Sequence, residues 1–264
     1  MKARIHDLEL AYDDHGMGQP LIFLHAFPLN RNMWDYQVRT LLAEQRFRLV
    51  ALDWRGFGGS DIRAEVSTME DFADDVAGLM DHLGMQQAVL CGLSMGGYAT
   101  FAFLRKYPQR VRALILCDTK PEADSAEVKA NREQLAQLVL SQGTDVIADQ
   151  QIPRLLAPLT RQNRPEVELQ VRHMIHTALP QGIAAASRGM ALRPDSTDLL
   201  ATIHCPALVI VGEHDIITPP MHSRAYAAQI ANAQFAVIPH AGHLSNLEQP
   251  EVFTSVIQNF LYSL

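Results

Sequence analysis

Cysteine is scarce in this chain. Cys91, Cys117 and Cys205 are its three, and none belongs to a CxxC pair. An odd count at such spacing argues against a disulfide framework and against a structural zinc site. The three read as small buried hydrophobes. Basic charge is also in deficit: 22 lysines and arginines face 29 acidic residues, a net charge of −7. General attraction to nucleic acid or to an anionic membrane is therefore not expected. No apolar run approaches the length needed to span a bilayer. The opening segment MKARIHDLELAYDD has neither an apolar core nor a small-residue cleavage site. A secretory signal is not expected, and a cytoplasmic location is. Internal repeats and low-complexity segments are missing as well.

What is present is ordinary for a globular chain: 264 residues, 48% hydrophobic and 19% charged. One large α/β domain with a single core is feasible at that length. Residues 3–13 alternate weakly and precede HGMG, which suggests an N-terminal antiparallel pair. LIFLH (21–25), FRLVALD (47–53), AVLC (88–91), VRALILC (111–117), ALVIVG (207–212) and FAVIP (235–239) read as strands. Helices are expected over 31–45, 69–83 and 95–106, near 219–230 and near 250–263. This alternation implies parallel pairing through right-handed crossovers, and continuous apolar strands imply that both sheet faces are covered. The fold class expected is α/β, with a mostly parallel, doubly wound sheet.

Residues 121–195 break the alternation and contain no convincing strand. DSAEVKANREQLAQLVLSQG reads as a helix, with a possible capping box from Asp124 to Glu127 and a stop at Gly143. RPEVELQVRHMIHTALP reads as another, with Pro165 in its first turn and Pro180 at its end. The expected organisation is a core over 1–120, a helical lid over 121–195 inserted after the sixth strand, and the rest of the core over 196–264.

The chemistry concentrates in QQAVLCGLSMGGYATFAF, residues Gln86 to Phe103. A strand runs into Gly-x-Ser-x-Gly, and a helix begins at once. Such a turn projects the Ser94 hydroxyl above the sheet edge, and its glycines let neighbouring backbone come close. A serine hydroxyl needs a base, and the base needs an orienting carboxylate. Asp215 lies beyond a strand in VIVGEHDIITPP, and His243 lies in the loop after the last strand. All three positions fall at the carboxyl ends of strands, where open α/β sheets bind ligands. Rivals exist: His240 for the base, and Asp118, which ends the strand before the lid, for the acid. Glu213 and His214 read as loop-shaping residues.

An oxyanion hole would need two backbone N–H groups. Met95, just after Ser94, supplies one candidate. The loop HAFPLNRNMW supplies the other, with Phe27 first and Ala26 second, because Pro28 has no N–H. Their neighbours His25, Ala26, Ile216 and Leu244 are candidate pocket residues, with His25 expected to brace its loop.

GLSMGG, GEHDIITPP, PHAGHLSNLEQPE and ALDWRGFGGSD together resemble the α/β-hydrolase superfamily. The resemblance is closest to the branch holding small carboxylesterases, 3-oxoadipate enol-lactonases and cofactor-free haloperoxidase/perhydrolases. It covers about residues 20–119 and 203–264. It implies an α/β-hydrolase fold with Ser94 as nucleophile, Asp215 as acid, His243 as base, and Phe27 and Met95 as oxyanion donors. It also implies that Asp53, Arg55, Gly56 and Gly58 form a structural loop beside the site. Ala26 departs from the glycine that members commonly carry there. Alanine would be strained if that position required a positive φ, and an ordinary conformation is expected.

The function expected is hydrolysis of a small ester through an acyl-enzyme. The alternatives are an enol-lactonase or perhydrolase using the same triad, and a non-catalytic small-ligand receptor. No cofactor or metal is called for, and the expected partner is a small-molecule ester or lactone. The segment 121–195 has no Phe, Tyr or Trp but seven arginines: Arg132, Arg154, Arg161, Arg164, Arg172, Arg188 and Arg193. An aliphatic pocket is expected. One inward arginine could take a substrate carboxylate, although a solvated helical face is the expectation for each arginine singly. His173 and His176, without an acidic or cysteine partner in sequence, are not expected to hold a metal.

Overall fold

The computed structural model describes all 264 residues. The chain begins with β1 (Lys2–Ile5), β2 (Leu8–Gly16), β3 (Gln19–Leu24), α1 (Asp35–Leu42), β4 (Phe47–Leu52) and α2 (Met69–His82). It continues with β5 (Ala88–Leu93), α3 (Met95–Lys106) and β6 (Val111–Cys117). Five helices follow: α4 (Ala126–Gln142), α5 (Asp145–Leu155), α6 (Pro158–Asn163), α7 (Pro165–His176) and α8 (Pro180–Leu192). The last part holds β7 (Ala207–Gly212), α9 (Pro220–Ala227), β8 (Gln234–Ile238), α10 (Ser245–Glu248) and α11 (Pro250–Tyr262).

The eight strands form one sheet in the order β1-β2-β4-β3-β5-β6-β7-β8. β1–β2 and β2–β4 pair antiparallel, and every other pair is parallel. The chain moves one way from β3 to β4, then reverses and crosses to β5. Right-handed crossovers therefore put α1 on one face and α2 and α3 on the other. The helix contacts agree, since α2 packs on α3 and α1 packs on α11. The reversal opens a crevice beyond the carboxyl ends of β3 and β5, where ligands bind in such sheets. β5 and β7 are buried at every position, which explains their unbroken apolar sequences.

The expected N-terminal antiparallel pair is β1 with β2, which turn at His6, φ 53°, while HGMG ends β2 and leads into β3, which does not pair with β2 because β4 lies between them. Other local expectations change. The helix expected over 31–45 starts as a 3-10 turn at Arg31–Trp34, capped by the Asn30 side chain, before α1 begins. The cap of α4 is Ser125, which accepts the Val128 N–H. Asp124 is instead drawn into the interior by Arg132 and Arg193. Sequence periodicity shows two helices over 121–195 where the fold has five.

Candidate active site

Ser94 sits between β5 and α3 with φ 54° and ψ −110°, a strained backbone for a residue other than glycine. The surroundings fix it there. Its N–H donates to the Cys117 carbonyl at 2.9 Å, and its own carbonyl accepts the N–H groups of Gly97 and Tyr98 and the Thr119 hydroxyl. A side chain at Gly96 would place its Cβ 2.1 Å from the Leu24 carbonyl oxygen. One at Gly92 would come within 2.4 Å of the Gly96 carbonyl. The two glycines are thus demanded by the close approach of β3, β5 and α3.

Asp215 lies just beyond β7. Its Oδ1 accepts the backbone N–H of Ile217 at 2.8 Å and of Thr218 at 3.0 Å. Its Oδ2 accepts the Thr218 hydroxyl at 2.5 Å and lies 2.8 Å from His243 Nδ1. Burial pushes this carboxyl up, but the charge and hydrogen bond of His243 and the bonds from Thr218 outweigh it, holding the pKa at about 2. A carboxylate beside Nδ1 makes Nδ1 the protonated ring nitrogen. Nε2, 2.8 Å from Ser94 Oγ, is then the acceptor for the serine hydroxyl. The three sequence candidates thus form one continuous chain of hydrogen bonds, with Asp215 and His243 almost wholly buried.

The rivals stand elsewhere. Asp118 is buried, accepts the Gly212 N–H at 2.8 Å and the Ser245 hydroxyl at 2.5 Å, and makes no hydrogen bond to His243. Burial and then the charge of Asp215 raise its pKa well above the usual range, against the bonds from Ser245 and Gly212. His240 is exposed, and its N–H donates to Glu213. Glu213, His214 and His240 bring donor atoms within 4.8 Å of one another on the exposed rim. The bond they make there ties the β7 and β8 loops together.

The N–H groups of Phe27 and Met95 donate to no group of the protein, and both flank Ser94's end of the crevice. The Ala26 N–H is already taken by Met33 Sδ at 3.2 Å, which removes the second oxyanion candidate. Ala26 has an ordinary backbone, absent from the positive-φ residues. His25 accepts the Trp54 N–H at Nε2 and therefore donates from Nδ1 to the Ala26 carbonyl. Burial, opposed by Asp53, lowers its pKa to about 4 and keeps it neutral.

A cavity of about 650 Å³ opens over Ser94, with Phe27, Tyr98 and His243 in its lining. Ile216 lines it, as expected. His25, Ala26 and Leu244 do not: all three are fully buried behind the cavity wall. Leu244 is turned inward as its N–H, with that of His243, donates to the Leu155 carbonyl. The cavity is also more polar than an aliphatic pocket. α4 supplies Val128, Leu135 and Leu138 but also Asn131 and Gln134, and α5 supplies Gln150, Gln151 and Arg154. Asp53, Arg55, Gly56 and Gly58 stay outside the lining. Asp53 holds the Arg31 and Gly59 N–H groups, and Arg55 donates two hydrogen bonds to the Asp75 carboxylate.

The family model described as the alpha/beta hydrolase fold matches residues 19–250. The chain belongs to the α/β-hydrolase family. Among its curated relatives is 3-oxoadipate enol-lactonase 1 of Acinetobacter baylyi, 31% identical, covering 92% of this chain and 89% of that protein. A thermophilic esterase from Thermogutta terrifontis, solved with malate bound, is 50% identical with a TM-score of 0.95, covering 97% of this chain and 94% of the other. The enol-lactonase from Burkholderia xenovorans is 30% identical with a TM-score of 0.92, covering 99% and 100%. The sheet is mostly parallel and flanked by helices. No helix is long and apolar enough to cross a membrane.

Sequence reasoning missed Glu248. Its buried carboxylate accepts the Ala157 N–H at 2.8 Å, the Thr160 hydroxyl at 2.6 Å and the Gly242 N–H at 2.8 Å. It thereby clamps the α5–α6 junction to the His243 loop. The residue stands inside the motif PHAGHLSNLEQPE, but partners some 90 positions away carry no local signal.

Proposed function

We propose that the protein is a serine hydrolase of small carboxylic esters. The observation that carries this reading is the chain of two 2.8 Å contacts, Ser94 Oγ to His243 Nε2 and His243 Nδ1 to Asp215 Oδ2, beneath an open cavity. His243 takes the Ser94 proton as Oγ attacks the ester carbonyl. The free N–H groups of Phe27 and Met95 receive the developing oxyanion. His243 then protonates the leaving alkoxide, and the acyl group stays on Ser94. Water, deprotonated by the same Nε2, attacks the acyl-enzyme, and the imidazolium returns that proton to Ser94 Oγ as the acid is released. Asp215 holds the imidazole tautomer and stabilises the imidazolium without taking its proton. In this reading α4 to α8 act as a lid that forms the cavity walls.

A lactone is the second reading, favoured by the 31% and 30% identical relatives named enol-lactonases. A receptor that only binds ligand has no need of a base at hydrogen-bond distance from a strained serine. Labelling with a fluorophosphonate probe, with Ser94→Ala as the control, tests the nucleophile. Folded wild-type protein that leaves Ser94 unlabelled overturns the proposal. Rates across p-nitrophenyl esters of rising acyl length and a carboxylated lactone then separate the two readings.

A further inference from the structure

Of the seven arginines in residues 121–195, six are paired. Arg132 and Arg193 share Asp124, Arg161 meets Glu168, Arg164 meets Glu166, Arg172 meets Asp149 and Arg188 meets Glu133. Arg154 has no carboxylate and no hydrogen-bond partner, and it lines the cavity that contains Ser94. Lys120 lines the same cavity and is likewise unpaired. The one carboxylate in the lining, Asp124, is engaged by Arg132 and Arg193 and cannot serve them. The cavity wall thus holds three cations, Lys120, Arg132 and Arg154, against a single carboxylate, inside a protein whose net charge is −7. A basic recess in an acidic molecule focuses potential on small anions.

The two free cations are also in register with the chemistry. Lys120 follows Thr119, whose hydroxyl donates to the Ser94 carbonyl at 2.9 Å. Arg154 precedes Leu155, whose carbonyl accepts the N–H groups of His243 at 3.0 Å and Leu244 at 3.2 Å. Each cation is therefore one residue from a group bonded to the backbone of the candidate nucleophile or base. Lys120 is half-buried and Arg154 exposed, which suits one group fixing an anion and another drawing it in.

We infer that the substrate bears a carboxylate besides its ester carbonyl, and that Lys120 and Arg154 receive it. Monoesters of dicarboxylic acids are the class that fits. This rests on the serine-hydrolase reading for the ester carbonyl, but not for the anion site itself. The guanidinium offers a planar double donor to the carboxylate, and the ammonium a compact charge.

The test compares p-nitrophenyl heptanoate with mono-p-nitrophenyl pimelate, which share one acyl length and differ by the charge. Wild-type kcat/KM should favour the pimelate by about tenfold at low salt, and the preference should shrink as ionic strength rises. In the Lys120→Gln/Arg154→Gln double variant the ratio should fall about tenfold, while Lys120→Arg and Arg154→Lys should keep most of it. Equal rates for both esters in the wild type, or an unchanged ratio in the folded double variant, overturns the inference. Calorimetric titration with pimelate supplies an arm independent of turnover: wild type should bind it and the double variant should not. Binding of pimelate without hydrolysis or Ser94 labelling would sink the hydrolase reading and leave the anion site standing. Hydrolysis of neutral esters without pimelate binding or preference would do the reverse.

Discussion

The carbonyl of Leu155, at the end of α5, accepts the backbone N–H of His243 at 3.0 Å. The helical insertion is thus bonded directly to the loop that carries the candidate base. Glu248 reinforces the same junction from the other side, holding Ala157, Thr160 and Gly242. Insertion and base loop are therefore one mechanical unit.

Glu248→Ala should be costly for that reason. It leaves two buried N–H groups and a hydroxyl without their acceptor, a loss on the order of 2–4 kcal/mol. In a chain of this size that corresponds to a fall in Tm of about 5–10 °C. Because Gly242 immediately precedes His243, kcat should fall more than KM rises. Differential scanning calorimetry and ester kinetics check both; an unaltered Tm would mean that the clamp carries no load.

Two buried aspartates should respond in opposite ways to the same change. Asp215→Asn removes the charge that orients His243, and turnover should drop by about 10⁴. Asp118→Asn keeps an acceptor for Gly212 and a donor for Ser245, so turnover should stay within about threefold. Asp118→Ala, which strands both partners, should lower stability by about 1–3 kcal/mol. If the two Asn variants exchanged effects, the acid would be Asp118.

Acid should weaken the fold in two windows. His25 has its pKa lowered to about 4 by burial, against 6.5 for an ordinary imidazole. Between those values the unfolded chain holds a proton that the folded chain refuses. The contribution is complete above pH 6.5 and is lost as pH falls towards 4, about 3 kcal/mol in all. Asp215 follows below it: its folded pKa of about 2 lies under the ordinary 3.8, so its contribution is present above 3.8 and disappears towards 2. Asp118, with its raised pKa, gains stability as pH falls and opposes these slopes, so each contribution is read from urea midpoints in pH steps as the difference from a variant. A His25→Asn variant that folds should lose the upper slope; one that keeps it places the proton elsewhere.

The turn that carries Ser94 is legible in sequence because everything that makes it is local: β5, the glycines and α3 adjoin one another. Asp215 and His243 are locatable since each follows an apolar strand in a parallel sheet. The pocket is not, because adjacency says nothing of side-chain direction. His25 flanks the candidate oxyanion loop yet turns to Trp54, and Leu244 adjoins His243 yet is buried in the core. α8 escapes periodicity for a related reason. Its sequence PQGIAAASRGMAL is buried nearly all round, so no polar stripe marks it. Its small residues answer to tertiary contacts: a Cβ at Gly182 would lie 2.1 Å from the Gly56 carbonyl. α5 is hidden by Pro153, which reads as a stop but falls in its last turn.

Asp124 shows how the cavity wall is held. Its carboxylate meets Arg132 at 2.5 Å and Arg193 at 2.8 Å, and the Arg193 side chain is 4% exposed. Burial pushes this carboxyl up, but the bond from Arg193 and the charge of Arg132 hold it below the usual range. Arg193 also lies over the Tyr98 ring, 4.0 Å from its centroid, so the pair supports a residue that lines the cavity. Asp124→Ala would leave a buried guanidinium without its carboxylate, a destabilisation of about 3–5 kcal/mol. Arg193→Met in the same background removes that stranded charge and should recover part of the loss. Urea unfolding of the single and double variants measures the coupling. Additive losses would show that the two residues do not act as a pair.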